Sequence, residues 1–463
     1  MTSPDPKAFD TLPLSAATLA TLQQLGYAAM TPVQAAALPL ALAGHDLIAQ
    51  AQTGSGKTAA FALALLARLD MQRTDTQALV LCPTRELADQ VALEVRRLAR
   101  AASNVKVLVL CGGAPIKPQA DSLAHGAHVV VGTPGRLIDH LERGTLVLDA
   151  LQTLVLDEAD RMLDMGFMDD IASIASRAPK ARQTLLFSAT YPEGIQQLAK
   201  KFLREPKEVS LTQRPGSQQI RQRWYEVTEE ERLHAVGLLL NHWRPASTLA
   251  FCNTKQQCRD LVDVLQAQGI SALALHGDLE QRDRDQVLVR FTNRSCSVLV
   301  ATDVAARGLD IAQLEAVINV EITPDVEVHT HRIGRTGRAG ESGWAFSLAS
   351  LEEMGRVGRI EQLQGQAPDF HPLAELTSSD STPLQPPMVT IQILGGRKEK
   401  IRAGDVLGAL TKDAGIPGAQ VGKINVNDFS TYVAVARTVA RQAEQALNNK
   451  PVKGKRVKAR VLE

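Results

Sequence analysis

Ala51-Gln52-Thr53-Gly54-Ser55-Gly56-Lys57-Thr58 is the stretch on which the reading of this chain turns. Upstream, residues 46–49 read as a short buried strand; downstream, residues 59–69 are a helix-forming run. A Gly-rich turn between a strand and a helix aims several backbone N–H groups, and the helix N-terminus, at one point, where they hold phosphate. Lys57 adds a mobile cation for the β- and γ-phosphates, and Thr58 offers a hydroxyl to Mg²⁺. The pattern G-x-x-x-x-G-K-[ST] begins with glycine, whereas this chain has Ala51, so the strict form is missed by one residue. The stretch predicts a nucleotide pocket without saying which nucleotide enters it or why.

At 463 residues the chain is longer than one hydrophobic core supports, and two or three domains are expected. An apolar content of 44% is that of a globular protein. The net charge of +1 hides an asymmetry. Residues 388–463 hold 14 of the 51 Lys+Arg but only 6 of the 50 Asp+Glu, which leaves 37 against 44 for the remainder. A compact basic tail on an acidic body predicts a polyanion-binding module. The five cysteines (Cys82, Cys111, Cys252, Cys258, Cys296) are scattered without C-x-x-C spacing, which favours buried free thiols over zinc or disulfides. The N-terminus lacks a basic segment followed by an apolar core, and no apolar run approaches the roughly 18 residues of a membrane span. A soluble, cytoplasmic protein without a membrane partner is expected.

Within residues 1–210, short apolar runs at 78–82, 106–110, 128–131, 153–156 and 184–187 alternate with amphipathic segments such as 86–100 and 171–176. Continuous apolar strands suit a parallel sheet covered on both faces, and the alternation predicts a doubly wound α/β domain. Residues 211–219 are polar, contain Pro-Gly and read as a linker. The pattern then restarts over 220–364, with strand candidates at 248–252, 272–275, 298–301, 316–320 and 344–348. A Pro-, Ser- and Thr-rich linker is expected over 365–387. Residues 388–463 read β-α-β-β-α-β (389–394, 406–413, 422–426, 432–436, 440–448, 456–462), the α+β order of many RNA-binding modules.

The run at 153–156 ends in Asp157-Glu158-Ala159-Asp160. Ligands of open α/β sheets bind at the carboxyl ends of strands, so these acids can face phosphates cradled by the Lys57 loop. Asp157 would hold Mg²⁺, directly or through water, and Glu158 would polarise the attacking water. Together with Ser188-Ala189-Thr190, this stretch resembles the DEAD-box ATP-dependent RNA helicases. The resemblance implies two tandem RecA-like domains, ATP as the nucleotide, and RNA-stimulated hydrolysis that locally unwinds or remodels RNA duplexes.

Further motifs carry the same resemblance. Pro83-Thr84-Arg85-Glu86-Leu87-Ala88, Gly112-Gly113 and Thr133-Pro134-Gly135-Arg136 are similar to the family's RNA-contacting segments. Arg85 and Arg136 suit phosphates, as do backbone N–H groups at helix starts and Gly turns. Phe9, Gly26-Tyr27 and Thr31-Pro32-Val33-Gln34 resemble its adenine-recognition segment. The Gln34 amide can accept from adenine N6–H and donate to N7, a pairing that guanine's O6 refuses. Phe9 is the implied stacking aromatic. In the second domain, Ala301-Thr302-Asp303, the run from Ala306 through Gly308 to Asp310, and His331-Arg332-Ile333-Gly334-Arg335-Thr336-Gly337-Arg338 match the family closely. Arg335 and Arg338 resemble its γ-phosphate arginines, which complete the site across the interdomain cleft; Gly308 and Asp310 resemble its nucleotide contacts, Asp310 on the ribose. Thr302, Asn253, Thr254, Gln281 and Arg284 resemble RNA contacts, and Ser188 with Thr190 would couple the nucleotide site to RNA.

The C-terminal segment resembles the RNA-binding domain of the bacterial DbpA subfamily. That resemblance implies an RRM-like fold, a large-subunit ribosomal RNA hairpin as ligand, a pre-ribosomal particle as partner, and a monomeric enzyme. Ordinary RRMs stack bases on aromatics of the central strands, where only Tyr432 is available here. RNA contacts are therefore expected on the basic clusters Arg397, Lys398, Lys400, Arg402 and Lys453, Lys455, Arg456, Lys458, Arg460.

Overall fold

The computed structural model describes residues 8–51, 54–102, 104–191, 193–210, 220–306, 314–337, 342–377 and 384–462. Two compact units result, one within residues 1–214 and the other from 215 onward.

The first unit is built on seven strands: β1 (Leu47–Gln50), β2 (Ala78–Leu81), β3 (Val107–Leu110), β4 (Val129–Gly132), β5 (Thr153–Leu156), β6 (Gln183–Ser188) and β7 (Lys207–Ser210). They form one parallel sheet in the order β3-β4-β2-β5-β6-β1-β7. Alternate residues of each strand feed opposite faces. Val80, Val155, Leu185 and Phe187 pack with Phe61 and Leu65 on one side. Leu79, Leu81, Leu154 and Leu156 pack with Met162, Ile171 and Ile195 on the other. This two-sided burial is why the strands read as unbroken apolar runs. The exception is β7, an edge strand of which only Val209 is buried, and its Lys-Glu-Val-Ser sequence carried no strand signal.

The second unit opens with another seven-stranded sheet: β8 (Ile220–Glu226), β9 (Thr248–Cys252), β10 (Ala272–Leu275), β11 (Val298–Thr302), β12 (Ala316–Asn319), β13 (Gly343–Ala349) and β14 (Phe370–His371). Its order is β10-β11-β9-β12-β13-β8-β14, again parallel. Strand β8 was hidden by its charges. Arg221 lies 5.4 Å from the Trp344 ring and Arg223 lies 5.0 Å from that of Trp243, so aromatic faces cover the guanidinium groups. The expected linker over 365–387 is corrected in its described parts: β14 pairs with β8, while Leu376 and Leu384 sink into the core of this sheet. Two buried leucines outweigh the polar composition around them. Residues 211–219 lie outside the described residues.

The last part of the chain folds into a four-stranded antiparallel sheet with helices, from β15 (Met388–Ile393), β16 (Val421–Val426), β17 (Thr431–Ala436) and β18 (Ala459–Leu462) in the order β16-β17-β15-β18. Ile391, Ile393, Val433 and Val435 pack with Val406, Leu410, Ala443 and Leu447 on one face. The other face is also covered. Thr390 Oγ1 lies 2.6 Å from Ser295 Oγ and accepts from Asn293 Nδ2 at 3.3 Å, while Met388 N donates to Arg294 O at 3.2 Å. Strand β15 therefore docks on the turn that follows helix Gln281–Thr292. Among the described residues no helix is long and apolar enough to cross a membrane.

Candidate functional site

Sheet order sorts the first unit's motifs into two groups. The nucleotide motifs follow the adjacent strands β5, β6 and β1, and the proposed RNA motifs follow β3, β4 and β2. All leave from carboxyl ends, where a parallel sheet leaves backbone and helix starts open to ligand.

After β1, Ala51 is buried and its N–H donates to Ser188 O at 3.0 Å. Gly54 and Gly56 both take left-handed backbone (φ 83° and 94°), and Gly56 caps helix Lys57–Ala67. Gln52 and Thr53 lie outside the described residues. A Cβ on Gly56 would stand 2.6 Å from Gln34 Nε2, so the loop and the adenine-recognition segment touch at a point that admits only glycine. Gln34 is itself buried. Its Oε1 accepts from Thr31 N at 2.9 Å and its Nε2 donates to Gly56 O at 3.2 Å. Each amide atom keeps one further hydrogen-bonding position, which is what a donor–acceptor pair toward adenine requires. Phe9 is 5% exposed and meets Tyr27 edge-on at 6.2 Å.

Lys57 is 5% exposed, and its Nζ is buried without a hydrogen-bond partner. The same holds for Oδ1 of Asp157, which is 2% exposed. Burial raises the Asp157 carboxyl to about 7, against the pull of Lys57 and with a push from Glu158. A buried ammonium and a buried carboxylate oxygen left in this state fit a phosphate and the divalent ion that accompanies it. Thr58, half-buried in the first turn of its helix, stands beside Lys57 in sequence. Among the described residues no group of three or more His, Cys, Asp or Glu forms a self-sufficient metal cage. The donor set suits Mg²⁺, which takes one or two carboxylates plus substrate phosphates.

Glu158 takes left-handed backbone (φ 54°) as it caps helix Ala159–Asp164. Such a conformation in a non-glycine residue is strained and marks a constrained position. Its Oε2 accepts from Arg161 Nη1 at 2.5 Å, with both side chains nearly buried. Arg161 had no assigned role in the sequence reading; its i+3 spacing from Glu158 on a helix was the available signal. Asp160 Oδ2 accepts from Ala189 N, Thr190 N and Thr190 Oγ1 at 3.1, 2.9 and 3.1 Å, and Asp160 N donates to Ser188 Oγ at 3.3 Å. Ser188 and Thr190 thus bond directly to the acidic motif.

Among the proposed RNA contacts of this unit, Thr84 caps the helix that begins at Arg85, and Pro83 is buried behind it. Gly112 and Gly113 are exposed after β3, whereas Thr133-Pro134 start the helix carrying Gly135 and Arg136. Gln119, absent from the sequence reading, ties these loops together. Its Oε1 accepts from Arg136 Nη1 at 3.0 Å and its Nε2 donates to Cys111 O at 3.1 Å. His140 Nε2 sits 3.1 Å from the same oxygen, and burial lowers the pKa of its ring.

In the second unit, Asn253 and Thr254 follow β9, and Thr302 closes β11. Gln281 and Arg284 lie on one helix, from which Arg284 Nη2 donates to Ala305 O at 2.7 Å. The organiser here is Arg332, which is 1% exposed. It grips Asp303 through Nε and Nη2 at 2.7 Å each, reaches Asn253 Oδ1 at 2.8 Å and lies over the Phe251 ring. Three motifs remote in sequence meet on one bidentate guanidinium. Arg335 is buried nearby in the chain. Gly308, Asp310 and Arg338 lie outside the described residues.

Two basic clusters far apart in the C-terminal sequence meet. Lys453 Nζ donates to Lys400 O at 3.1 Å, and both residues take left-handed backbone (φ 50° and 64°). Arg397, Lys398, Lys455, Arg456 and Lys458 are exposed. Arg402 instead leads into helix Ala403–Gly408, its N–H donating to Asp405 Oδ2 at 2.9 Å. Arg460 turns to the sheet face, where its Nε donates to Gln392 Oε1 at 2.9 Å. Tyr432 is 5% exposed and its hydroxyl accepts from Gln392 Nε2 at 3.2 Å, so it presents no ring face for stacking.

The chain matches the DEAD/DEAH box helicase family over residues 31–198, the helicase conserved C-terminal domain over 231–340 and the DbpA RNA binding domain over 390–461. It is 53% identical over 462 residues to the ATP-dependent RNA helicase DbpA of Escherichia coli, covering 98% of this chain and 100% of that one. It is 44% identical to the DEAD-box ATP-dependent RNA helicase CshA of Geobacillus kaustophilus over 71% of this chain and 70% of the relative. Among solved structures, Saccharomyces cerevisiae Dbp5 bound to RNA and ADP BeF3 superposes with a TM-score of 0.73 at 30% identity, covering 80% of this chain and 96% of that one. Along nearly its whole length, the chain belongs to the DEAD-box ATP-dependent RNA helicases, in the DbpA type that carries its own C-terminal RNA-binding domain.

Proposed function

We propose that this helicase remodels short duplexes of large-subunit ribosomal RNA within pre-ribosomal particles in the cytoplasm, as a monomer guided by residues 388–463. The observation that carries the catalytic reading is the pair of buried polar atoms without partners, Lys57 Nζ and Asp157 Oδ1, at strand ends one sheet position either side of β6. Lys57 and the N–H groups of the glycine loop would hold the β- and γ-phosphates of ATP, with Gln34 and Phe9 at the adenine. Thr58 and Asp157 would hold Mg²⁺, and the chemistry it supplies once bound is neutralisation of charge on the phosphates. Glu158 would position and polarise the attacking water. Arg335 and Arg338 are assigned to charge developing on the γ-phosphate, a task suited to an always-charged planar fork.

Ser188 Oγ accepts from Asp160 N and Thr190 Oγ1 donates to Asp160 Oδ2, and these bonds support their role in passing the nucleotide state onward. RNA binding by residues 388–463 is supported by the match to the DbpA RNA binding domain and by the basic charge of this segment.

Glu158→Gln tests the catalytic part. The variant is expected to bind ATP and RNA with near wild-type affinity while RNA-stimulated turnover falls by about a hundredfold or more. Hydrolysis at the wild-type rate would remove Glu158 from its role. Crosslinking the full chain to total RNA and sequencing the adducts tests the target: a large-subunit segment should be enriched, and a uniform spread across transcripts would reduce the reading to a general helicase.

A further inference from the structure

The C-terminal domain contains two aromatic side chains, Tyr432 and Phe429. Tyr432 is buried on the sheet face, whereas Phe429 is 71% exposed. It sits at the tip of the β16–β17 hairpin, which Asn427 N closes by donating to Ser430 O at 2.8 Å. An exposed aromatic on a loose tip would mean little, because isolated surface hydrophobics are ordinary.

This tip is pinned. Arg397 N donates to Asn427 O at 2.8 Å and Lys398 N to Asp428 O at 3.0 Å, so the basic loop and the hairpin share their backbone hydrogen bonds. The guanidinium of Arg397 turns onto Val426 O through Nε and Nη2 at 3.2 and 2.9 Å. The approach is so close that a Cβ on Gly396 would stand 2.1 Å from Asn427 O, and only glycine fits. Lys453 extends the basic rim through its hydrogen bond to Lys400 O. The acids nearby are already engaged: Glu399 Oε2 accepts from Gly396 N at 2.7 Å, Asp428 lies 3.8 Å from Arg397, and Asp405 lies 3.6 Å from Lys453.

We propose that Phe429 is a stacking platform for one unpaired nucleobase, with Arg397, Lys398, Lys400 and Lys453 holding the flanking phosphates. The proposal rests on residues 388–463 acting as the RNA-binding domain. An aromatic face beside guanidinium and ammonium groups is the chemistry by which proteins hold splayed bases of RNA loops and single strands. The relatively rigid backbone beneath the ring means that little ordering is lost on binding. The platform lies outside the sheet face, which the second sheet's neighbouring turn already covers.

The test uses the full chain, with two probes: a large-subunit ribosomal RNA hairpin carrying 2-aminopurine in its loop, and a blunt RNA duplex. Phe429→Ala should weaken hairpin binding by roughly ten- to a hundredfold, with duplex binding unchanged. Phe429→Trp should restore affinity, and the stacking quench of 2-aminopurine should vanish in the alanine variant only. The salt dependence of binding should be preserved in Phe429→Ala but reduced in Lys453→Glu. Hairpin affinity in Phe429→Ala within twofold of wild type, with Lys453→Glu impaired, would overturn the platform and leave the RNA-binding reading intact. No loss in either variant would overturn both.

Discussion

At the scale of single residues, the site is organised by charges taken out of water. Lys57, Asp157, Glu158 and Arg161 are all nearly buried within one unit, and an ionised group in that position must find a partner or a ligand. Glu158 has found Arg161, and the ion pair fixes where its carboxylate points. Arg161→Lys keeps a positive charge in the buried site but exchanges a planar fork for a point charge on a flexible stem. It should therefore lower kcat of RNA-stimulated ATP hydrolysis by about tenfold while leaving the KM for ATP within about twofold. Steady-state kinetics at saturating RNA separate the two parameters. A rise in KM with kcat intact would place Arg161 in nucleotide binding instead. The glutamate was legible from its motif, and the arginine was not, because a basic residue in a helix is usually solvated.

Elements carry the next level of specification. Helix Val326–Ile333 lays His329 flat against Trp224 of β8, with ring centroids 5.3 Å apart. The imidazole is fully buried and neither ring nitrogen has a hydrogen-bond partner. Burial, helped by Arg332, lowers its pKa from 6.5 to about 3. A folded-state value below the unfolded one means that the unfolded chain takes up the proton first. The stabilisation is complete above about pH 6.5 and is lost as pH falls toward about 3. Between pH 7 and pH 5 this amounts to about 2 kcal/mol. All three tryptophans, Trp224, Trp243 and Trp344, belong to this sheet and its flanking helix, so tryptophan fluorescence follows its unfolding selectively. His329→Phe should keep the aromatic packing and shrink the stability difference between pH 7 and pH 5 in urea titrations by about that amount. An unchanged difference would assign the acid sensitivity to other groups.

At the scale of the molecule, the C-terminal domain is held to the second sheet's domain through polar groups excluded from water. Thr390 is fully buried between Ser295 and Asn293, both nearly buried. Buried hydroxyls joined in this way are costly to separate, because each would have to be left unpaired or rehydrated. Thr390→Lys places an ammonium in that junction, which cannot be buried without a partner. Amide hydrogen exchange should then lose protection over 293–296 and along β15, while Val433 and Val435 in the domain's own core stay protected. Unchanged protection at 293–296 would show that Thr390 does not hold the junction.

Local chemistry alone determined much of this protein. Apolar runs marked most of the strands of the two parallel sheets because both sheet faces are buried, and the glycine loop, the acidic motif and the arginine-rich motif stand as contiguous stretches. Short range explains their legibility, since a phosphate loop needs its glycines, lysine and threonine within one turn of chain. Only the tertiary structure decided what depends on meetings between distant segments. Strand β8 reads as charged until Trp243 and Trp344 cover its arginines. Gln119 gains meaning only beside Arg136, and Arg332 only beside Asp303 and Asn253. Tyr432, the one aromatic of the central strands, is buried, while Phe429 is raised into solvent by a hairpin pinned to Gly396, thirty-three positions away in sequence. Burial is a property of the whole fold, and a side chain cannot be assigned to surface or core until its distant neighbours are in place.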